Sequence, residues 1–129
     1  MSGREELRVP ELAEPISHYT DAVRANDLLF VSGCVAVDGA GRLVGGDDVV
    51  EQTRQVFANL ETVLRAAGAS IRDVVKVTVF LTDVGDRAAV DTVRRRTFGD
   101  VRPASTLVEV SALAVPGARV EIEAVALVP

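Results

Sequence analysis

Two carboxylates lie two residues apart near the C-terminal end of the chain. Glu121 and Glu123 interrupt the segment from residue 120 to 128, which is otherwise rich in Val, Ile, Leu and Ala. That composition is typical of a buried strand. Side chains two apart on a strand share one face, and carboxylates on an apolar strand need a physical reason. The pair therefore marks either a functional site or a structural ion pair, for which Arg119 is the candidate partner.

Cys34 and His18 are further residues of types that often do chemistry, and each is the only one of its kind in the chain. A single cysteine excludes an internal disulfide and a multi-cysteine zinc site, and a single histidine excludes a histidine-rich metal centre. No metal is therefore expected. No base is predicted beside Cys34, which favours a small packing residue over a nucleophile. His18 is either a proton carrier near neutral pH or an exposed histidine.

The patterns predict two helices and five strands in the order β-β-α-β-α-β-β. The first two strands form a hairpin that turns at Asn26-Asp27, a dipeptide typical of turns. Gly33, near the end of the second strand, suits a bulge or a close backbone approach. The other predicted strands are residues 74–81, 106–110 and 120–128, and residues 1–10 are expected to form a loose arm.

The longer predicted helix begins after Asp47 or Asp48, either of which is a good N-cap. Apolar residues then recur with helical spacing, and Gly68 is a natural stop. The shorter helix covers about residues 87–98 and contains the basic run Arg94-Arg95-Arg96. Three adjacent arginines point around most of a helix, so this run predicts a solvated helix end and not a binding patch.

This order predicts one α+β domain spanning residues 1–129, with two helices on one face of a mixed sheet. The strands are too apolar on both sides to leave the second face in water, and the chain offers no third helix to cover it. Another copy of the chain is the economical cover, so the pattern predicts an oligomer.

The composition narrows the class of partner. The net charge is −5, and the chain has four Phe, one Tyr and no Trp, which disfavours nucleic-acid binding through phosphates or base stacking. No apolar run approaches the length of a membrane span, and residues 1–9 lack the apolar core of a secretory signal. The sequence is therefore interpreted as that of a soluble, cytoplasmic protein with neither a membrane nor a nucleic-acid partner.

Five segments, in this order and spacing, resemble the RidA/YjgF family. They are the hairpin from Tyr19 to Gly33, Glu51-Gln52-Thr53-Arg54-Gln55-Val56, the strand from Val74 to Asp83, Pro103-Ala104, and Val120-Glu121-Ile122-Glu123-Ala124-Val125-Ala126. The resemblance implies a chorismate-mutase-like fold and a homotrimer with small-molecule clefts between neighbouring subunits. It also implies hydrolysis of reactive enamines and imines to ketoacids and ammonia, without a metal or organic cofactor.

The resemblance also assigns roles to individual residues. Glu121 matches the family glutamate that orients the attacking water or carries a proton. Tyr19 matches a tyrosine that closes over the cleft, and Ser32 matches a serine on the cleft wall. The backbone N–H of Leu107 lies where it can hold a substrate oxygen. Structural roles stay open as alternatives, namely an apolar plug for Tyr19 and a turn for Ser32.

One position departs from the family pattern. Archetypal members carry an arginine directly after the Pro-Ala pair, where the guanidinium grips the substrate carboxylate. Here that position is Ser105, whose hydroxyl donates one hydrogen bond but does not neutralise a carboxylate. Either the substrate is not a simple 2-imino acid, or another cation replaces the arginine. The candidates are Arg119, which would share a strand face with Glu121, and also Arg102 and Arg24.

Three functions are therefore considered. The first is a hydrolase of an enamine or imine, and the second is a non-catalytic trimer that binds or senses a small metabolite in the same cleft. Loss of the arginine favours the second, whereas the presence of Glu121, Tyr19 and Ser32 counts against it. The third, the endoribonuclease activity attributed to some relatives, fits poorly with an acidic chain that is poor in aromatic residues.

Overall fold

The computed structural model describes residues 3–129. Within that range it contains two α-helices, α1 (Val49–Ala66) and α2 (Arg87–Phe98), and one six-stranded sheet. The predicted α+β class is confirmed, as are the two helices and the five strands in their order, and one strand is added in front of them. The strands are β1 (Arg4–Leu7), β2 (Ala22–Ala25), β3 (Leu28–Cys34), β4 (Val74–Leu81), β5 (Ala104–Glu109) and β6 (Val120–Leu127).

The strands lie in the order β1-β2-β3-β6-β4-β5. Neighbouring strands are antiparallel except for β4 and β5, which are parallel because α2 returns the chain between them. The last strand, β6, therefore lies between β3 and β4. This places Glu121 and Glu123 inside the sheet and not at its edge.

Both helices pack on the same face of the sheet. Phe57 of α1 and Phe98 of α2 meet edge to face there, with ring centroids 5.8 Å apart. The rest of that core is almost entirely Val, Leu, Ile and Ala. On the other face, Phe30 and Leu127 are 46% and 50% exposed. One face of the sheet is thus left uncovered within the protomer, as the sequence predicts.

Helix α1 begins and ends where local signals predict. The side chain of Asp48 accepts hydrogen bonds from the backbone N–H groups of Val50 and Glu51, at 3.0 and 3.3 Å, and so satisfies donors of the first turn. Gly68 follows the helix with a φ of +79°, a left-handed conformation that favours glycine. Within residues 3–129, neither helix combines the length and the apolarity that crossing a bilayer requires.

The N-terminal segment is not the loose arm that the sequence suggests. Residues 4–7 pair with β2, and the next residues are fixed by Asp21, whose carboxylate accepts from Arg8 at 2.6 Å and from the N–H of Val9 at 2.7 Å. The side chains of β1 are mostly exposed, so its pairing depends on backbone hydrogen bonds and leaves no apolar pattern in the sequence. Residues 1 and 2 lie outside the described range.

A buried glutamine joins α1 to the start of β6. Gln52 is fully buried, and its Nε2 donates to the carbonyls of Gly46 and Gly117 at 2.7 and 3.0 Å. Its Oε1 accepts from the N–H of Arg119 at 2.8 Å. One side chain thus satisfies three backbone groups and fixes the loop that leads to Glu121.

We expect Gln52→Leu to destabilise the protein by about 2–4 kcal/mol, because each buried group left without a partner costs about 1–3 kcal/mol and the loop relaxes in part. Urea unfolding followed by circular dichroism measures the change. Gln55→Leu is the control, since it removes one side-chain bond, to Asn59, and should cost less than half as much. Equal losses for the two variants would contradict the role given to Gln52.

Candidate functional site

Glu121 lies on the helix-free face of the sheet, opposite Phe80 of β4. On its other side is β3, whose pairing with β6 is irregular between Val31 and Cys34. A Cβ on Gly33 would lie 2.2 Å from Oε2 and 2.8 Å from Cδ of Glu121, which is far inside van der Waals contact. Because glycine has no side chain, position 33 leaves room for the carboxylate of Glu121. The predicted bulge or close approach at Gly33 is confirmed.

The surroundings of Glu121 raise its pKa above the ordinary carboxyl value. Partial burial is the larger cause, because it penalises the charged form, and the negative charge of Glu123 adds to it. The carboxylate makes no hydrogen bond or ion pair to any residue in the range 3–129. A half-buried carboxyl group without a partner is suited to exchange protons with a bound molecule.

A small cavity of about 110 Å³ adjoins Gly33 and is also lined by Tyr19 and Ser32. Ser32 Oγ donates to the carbonyl of Thr20 at 2.6 Å, and so attaches the loop that carries Tyr19 to β3. Tyr19 is 48% exposed, and its hydroxyl accepts from the N–H of Ile16 at 3.4 Å. The aromatic ring is therefore half exposed at the surface of the single chain, while its hydroxyl is bonded to the backbone.

Cys34 is a packing residue, as its sequence context predicts. The thiol is buried, and burial is the main reason that its pKa rises to about 12, with smaller contributions from the charges of Asp21 and Glu121. The thiol stays protonated at neutral pH, so it is a poor nucleophile.

Ser105 and Leu107 lie on β5, on the opposite side of the sheet from Glu121. Their partners across the strand pair are Val77 and Val79, which are buried under the helices. Side chains in register share a face, so positions 105 and 107 face the helix side. A small ligand that contacts Glu121 thus cannot contact Ser105 of the same chain.

A cleft of about 470 Å³ separates Ser105 from α2, and its lining includes Asp91 and three arginines, Arg94, Arg95 and Arg102. Arg95 Nε donates to Asp91 at 2.6 Å. Arg94 is half-buried, which lowers its pKa, while the charge of Asp91 acts in the opposite direction. Arg94 makes no hydrogen bond or ion pair to any residue that the structure describes.

The position of Arg94 corrects the interpretation of the basic run as a solvated helix end. The three arginines do point in different directions, but Arg94 lies in the cleft. The spacing of Arg94 from apolar residues of the helix indicates this position, although the sequence interpretation did not use it. Arg94 follows Val90 by four residues and precedes Phe98 by four, and both of these are buried, so it borders the buried stripe of α2.

Arg119 and Arg24 have structural contacts. Arg119 Nη2 donates to both carboxylate oxygens of Asp86, at 3.0 and 2.8 Å, and Nη1 donates to the carbonyl of Asp47 at 2.6 Å. Arg119 precedes β6, so it does not follow the alternation that would have placed it beside Glu121. Arg24 donates to the carbonyls of Asn26 and Pro129. Both guanidinium groups are therefore engaged in contacts within the chain.

His18 is exposed in the loop before β2. Among residues 3–129, no three His, Cys, Asp or Glu side chains group in a way that could hold a metal ion.

Comparison with known proteins identifies the family. Residues 11–128 match the profile of the family described as Endoribonuclease L-PSP. The chain belongs to that family. The predicted membership in the RidA/YjgF family, of which this is another description, is therefore confirmed.

Individual relatives are similar over most of their length. A RutC family protein of Pyrococcus horikoshii is 43% identical over 114 residues, which cover 88% of this chain and 89% of the relative. A 2-iminobutanoate/2-iminopropanoate deaminase of Capra hircus is 41% identical over 113 residues, with 87% and 81% covered. The crystal structure of a Rid family protein from Yersinia pestis matches with a TM-score of 0.91 at 35% identity, covering 97% and 99% of the two chains.

We expect Gly33→Ala to impair function more than stability in this Endoribonuclease L-PSP family member. The new methyl group meets the flexible end of Glu121, so the carboxylate moves while the backbone stays in place. Gly33→Ala should lower the midpoint temperature of thermal unfolding slightly. The same substitution should lower it almost not at all in protein that already carries Glu121→Ala. A loss of the same size in both backgrounds would mean that the methyl group meets something other than Glu121.

Proposed function

We propose that this protein is a hydrolase that deaminates an enamine or imine to a carbonyl compound and ammonia, at sites formed between the subunits of a homotrimer. The observation that carries the proposal is the Glu121 carboxylate, half-buried over Gly33, with a raised pKa and no hydrogen-bonding or ionic partner among residues 3–129. The name of the goat relative, 2-iminobutanoate/2-iminopropanoate deaminase, supports the reaction class.

The candidate residues lie on opposite faces of the sheet, and this placement supports assembly. Glu121 and Gly33 lie on the uncovered face of the sheet, whereas Ser105 and the arginine-lined cleft lie on the helix side. A second copy would bring Glu121 of one chain against Ser105 of another. The exposed apolar side chains on the open face favour the same contact, since covering them removes apolar area from water.

The reaction requires only water and proton transfers. Water adds to the carbon of the C=N bond, and Glu121 accepts the proton that water loses as the C–O bond forms. The nitrogen takes up protons, the C–N bond of the resulting carbinolamine breaks, and ammonia leaves. The carbinolamine hydroxyl loses its proton to give the carbonyl, so one imine and one water yield one carbonyl compound and one ammonia. An enamine enters the same sequence after protonation at carbon.

We expect Glu121→Ala to lower the enzymatic rate of ammonia release by about 100-fold or more, which is the usual contribution of a positioned general base. The imine is generated in the assay by an amino acid oxidase or by an amine oxidase, and ammonia is followed with and without the protein. Glu123→Gln, on the same strand face, is the control and should remain active. Wild-type protein that does not accelerate either reaction would contradict the hydrolase, and would favour the non-catalytic metabolite-binding trimer that Ser105 also suggests.

The pH profile should reveal the ionisation of Glu121. The base must be ionised to accept a proton, so kcat/KM falls as the pH is lowered through the pKa of Glu121, and the raised pKa places this fall above the range of an ordinary carboxyl group. Glu123→Gln removes a neighbouring negative charge and should therefore move the fall to lower pH. If the midpoint is the same in the two proteins, the ionisation being observed is not that of Glu121.

A further inference from the structure

The cleft between α2 and β5 contains a guanidinium, that of Arg94, with no hydrogen bond or ion pair to the described residues, close to Ser105, where the family pattern has an arginine. Arg94 lines the cleft that Ser105 borders. It also lines an adjoining cleft of about 450 Å³ that Leu107 borders. Arg94 therefore lies across from both β5 positions that the family pattern assigns to ligand binding.

Arg94 is the arginine of this cleft that is best placed to hold an anion. Arg95 is paired with Asp91, and its side chain is 80% exposed. Arg102 is exposed in the loop before β5. Arg94 is half-buried, has no hydrogen bond or ion pair to any described residue and remains protonated at neutral pH. A partly desolvated charge without a partner is unfavourable, so a negatively charged group bound beside it would be stabilised.

We propose that Arg94 grips the carboxylate of an imino-acid substrate, in place of the arginine that is missing at position 105. This inference rests on the function proposed above and names its substrate class. The planar guanidinium matches a carboxylate with two parallel N–H···O bonds, and the Ser105 hydroxyl contributes one more donor. The small side chain of Ser105 leaves free the space in which Arg94 meets the ligand.

The test compares an imine that carries a carboxylate, from an amino acid oxidase, with an uncharged imine, from an amine oxidase. In Arg94→Ala, KM should rise about 10–100-fold for the charged imine, and at least ten times more than for the uncharged one. Arg94→Lys should recover part of the loss, because it keeps the charge without the planar fork. Arg96→Ala is the matched control, since Arg96 borders a different groove between α1 and α2, and should match wild type.

Binding of 2-oxobutanoate, measured by calorimetry, separates this inference from the proposed reaction. Wild type and Glu121→Ala should bind it, and Arg94→Ala should bind at least tenfold more weakly, even if no imine is hydrolysed. Two results would overturn the assignment. One is unchanged affinity and unchanged KM ratio in Arg94→Ala. The other is dissociation of the Arg94→Ala oligomer in light scattering, which would make Arg94 a subunit contact.

Mixed oligomers test whether Arg94 serves the neighbouring subunit. Glu121→Ala chains and Arg94→Ala chains are co-expressed with different affinity tags, and the mixed oligomers are purified through both tags. If each site takes Glu121 from one chain and Arg94 from its neighbour, some sites of these oligomers have both residues intact. Activity on the charged imine should then exceed that of either parent. Mixed oligomers no more active than the parents would contradict a site shared in this way.

Discussion

The structure depends on a sheet that its own helices cover on one side only. Helices α1 and α2 bury one face, while Phe30, Val108 and Leu127 remain 39–50% exposed elsewhere on the sheet. Apolar surface of this kind is worth about 25 cal/mol per Å² when a second copy removes it from water. In the proposed homotrimer the same contact would enclose Glu121, so burial of this apolar surface and completion of the site would depend on one interface.

Backbone geometry, and not an ionic partner, sets the properties of Glu121. A side chain at position 33 would displace the carboxylate, and a cation within hydrogen-bonding distance would lower its pKa instead of leaving it raised. Gln52 acts at longer range, because it fixes the loop before β6 through three backbone groups. Glycine, glutamine and strand pairing together hold a carboxyl group that is accessible and easily protonated.

Local signals allowed much of the fold to be predicted, and long-range contacts explain what was missed. The N-cap Asp48 and the apolar stripe that follows it are local signals, and they define α1. Residues 4–7 pair through their backbone with a strand distant in the sequence, and they carry no apolar pattern. The site divides in the same way. Glu121 is a candidate from the sequence because two carboxylates on an apolar strand are conspicuous and because it matches a family glutamate. Arg119 is held by Asp86, 33 residues earlier, and no spacing rule reveals that ion pair.

Asp91 explains why a cation on α2 is able to act in this cleft. It is the one carboxylate among the described residues that line the cleft, and it is hydrogen-bonded to Arg95. Its charge offsets only part of the cost of burying Arg94, whose pKa remains lowered. An arginine at position 105 would instead extend from an edge strand fixed by its pairing with β4. An arginine at position 94 of the helix supplies a positive charge to the cleft without filling the space beside the strand. If Arg94 binds the substrate carboxylate as proposed, the space beside Ser105 would be available to the rest of the substrate.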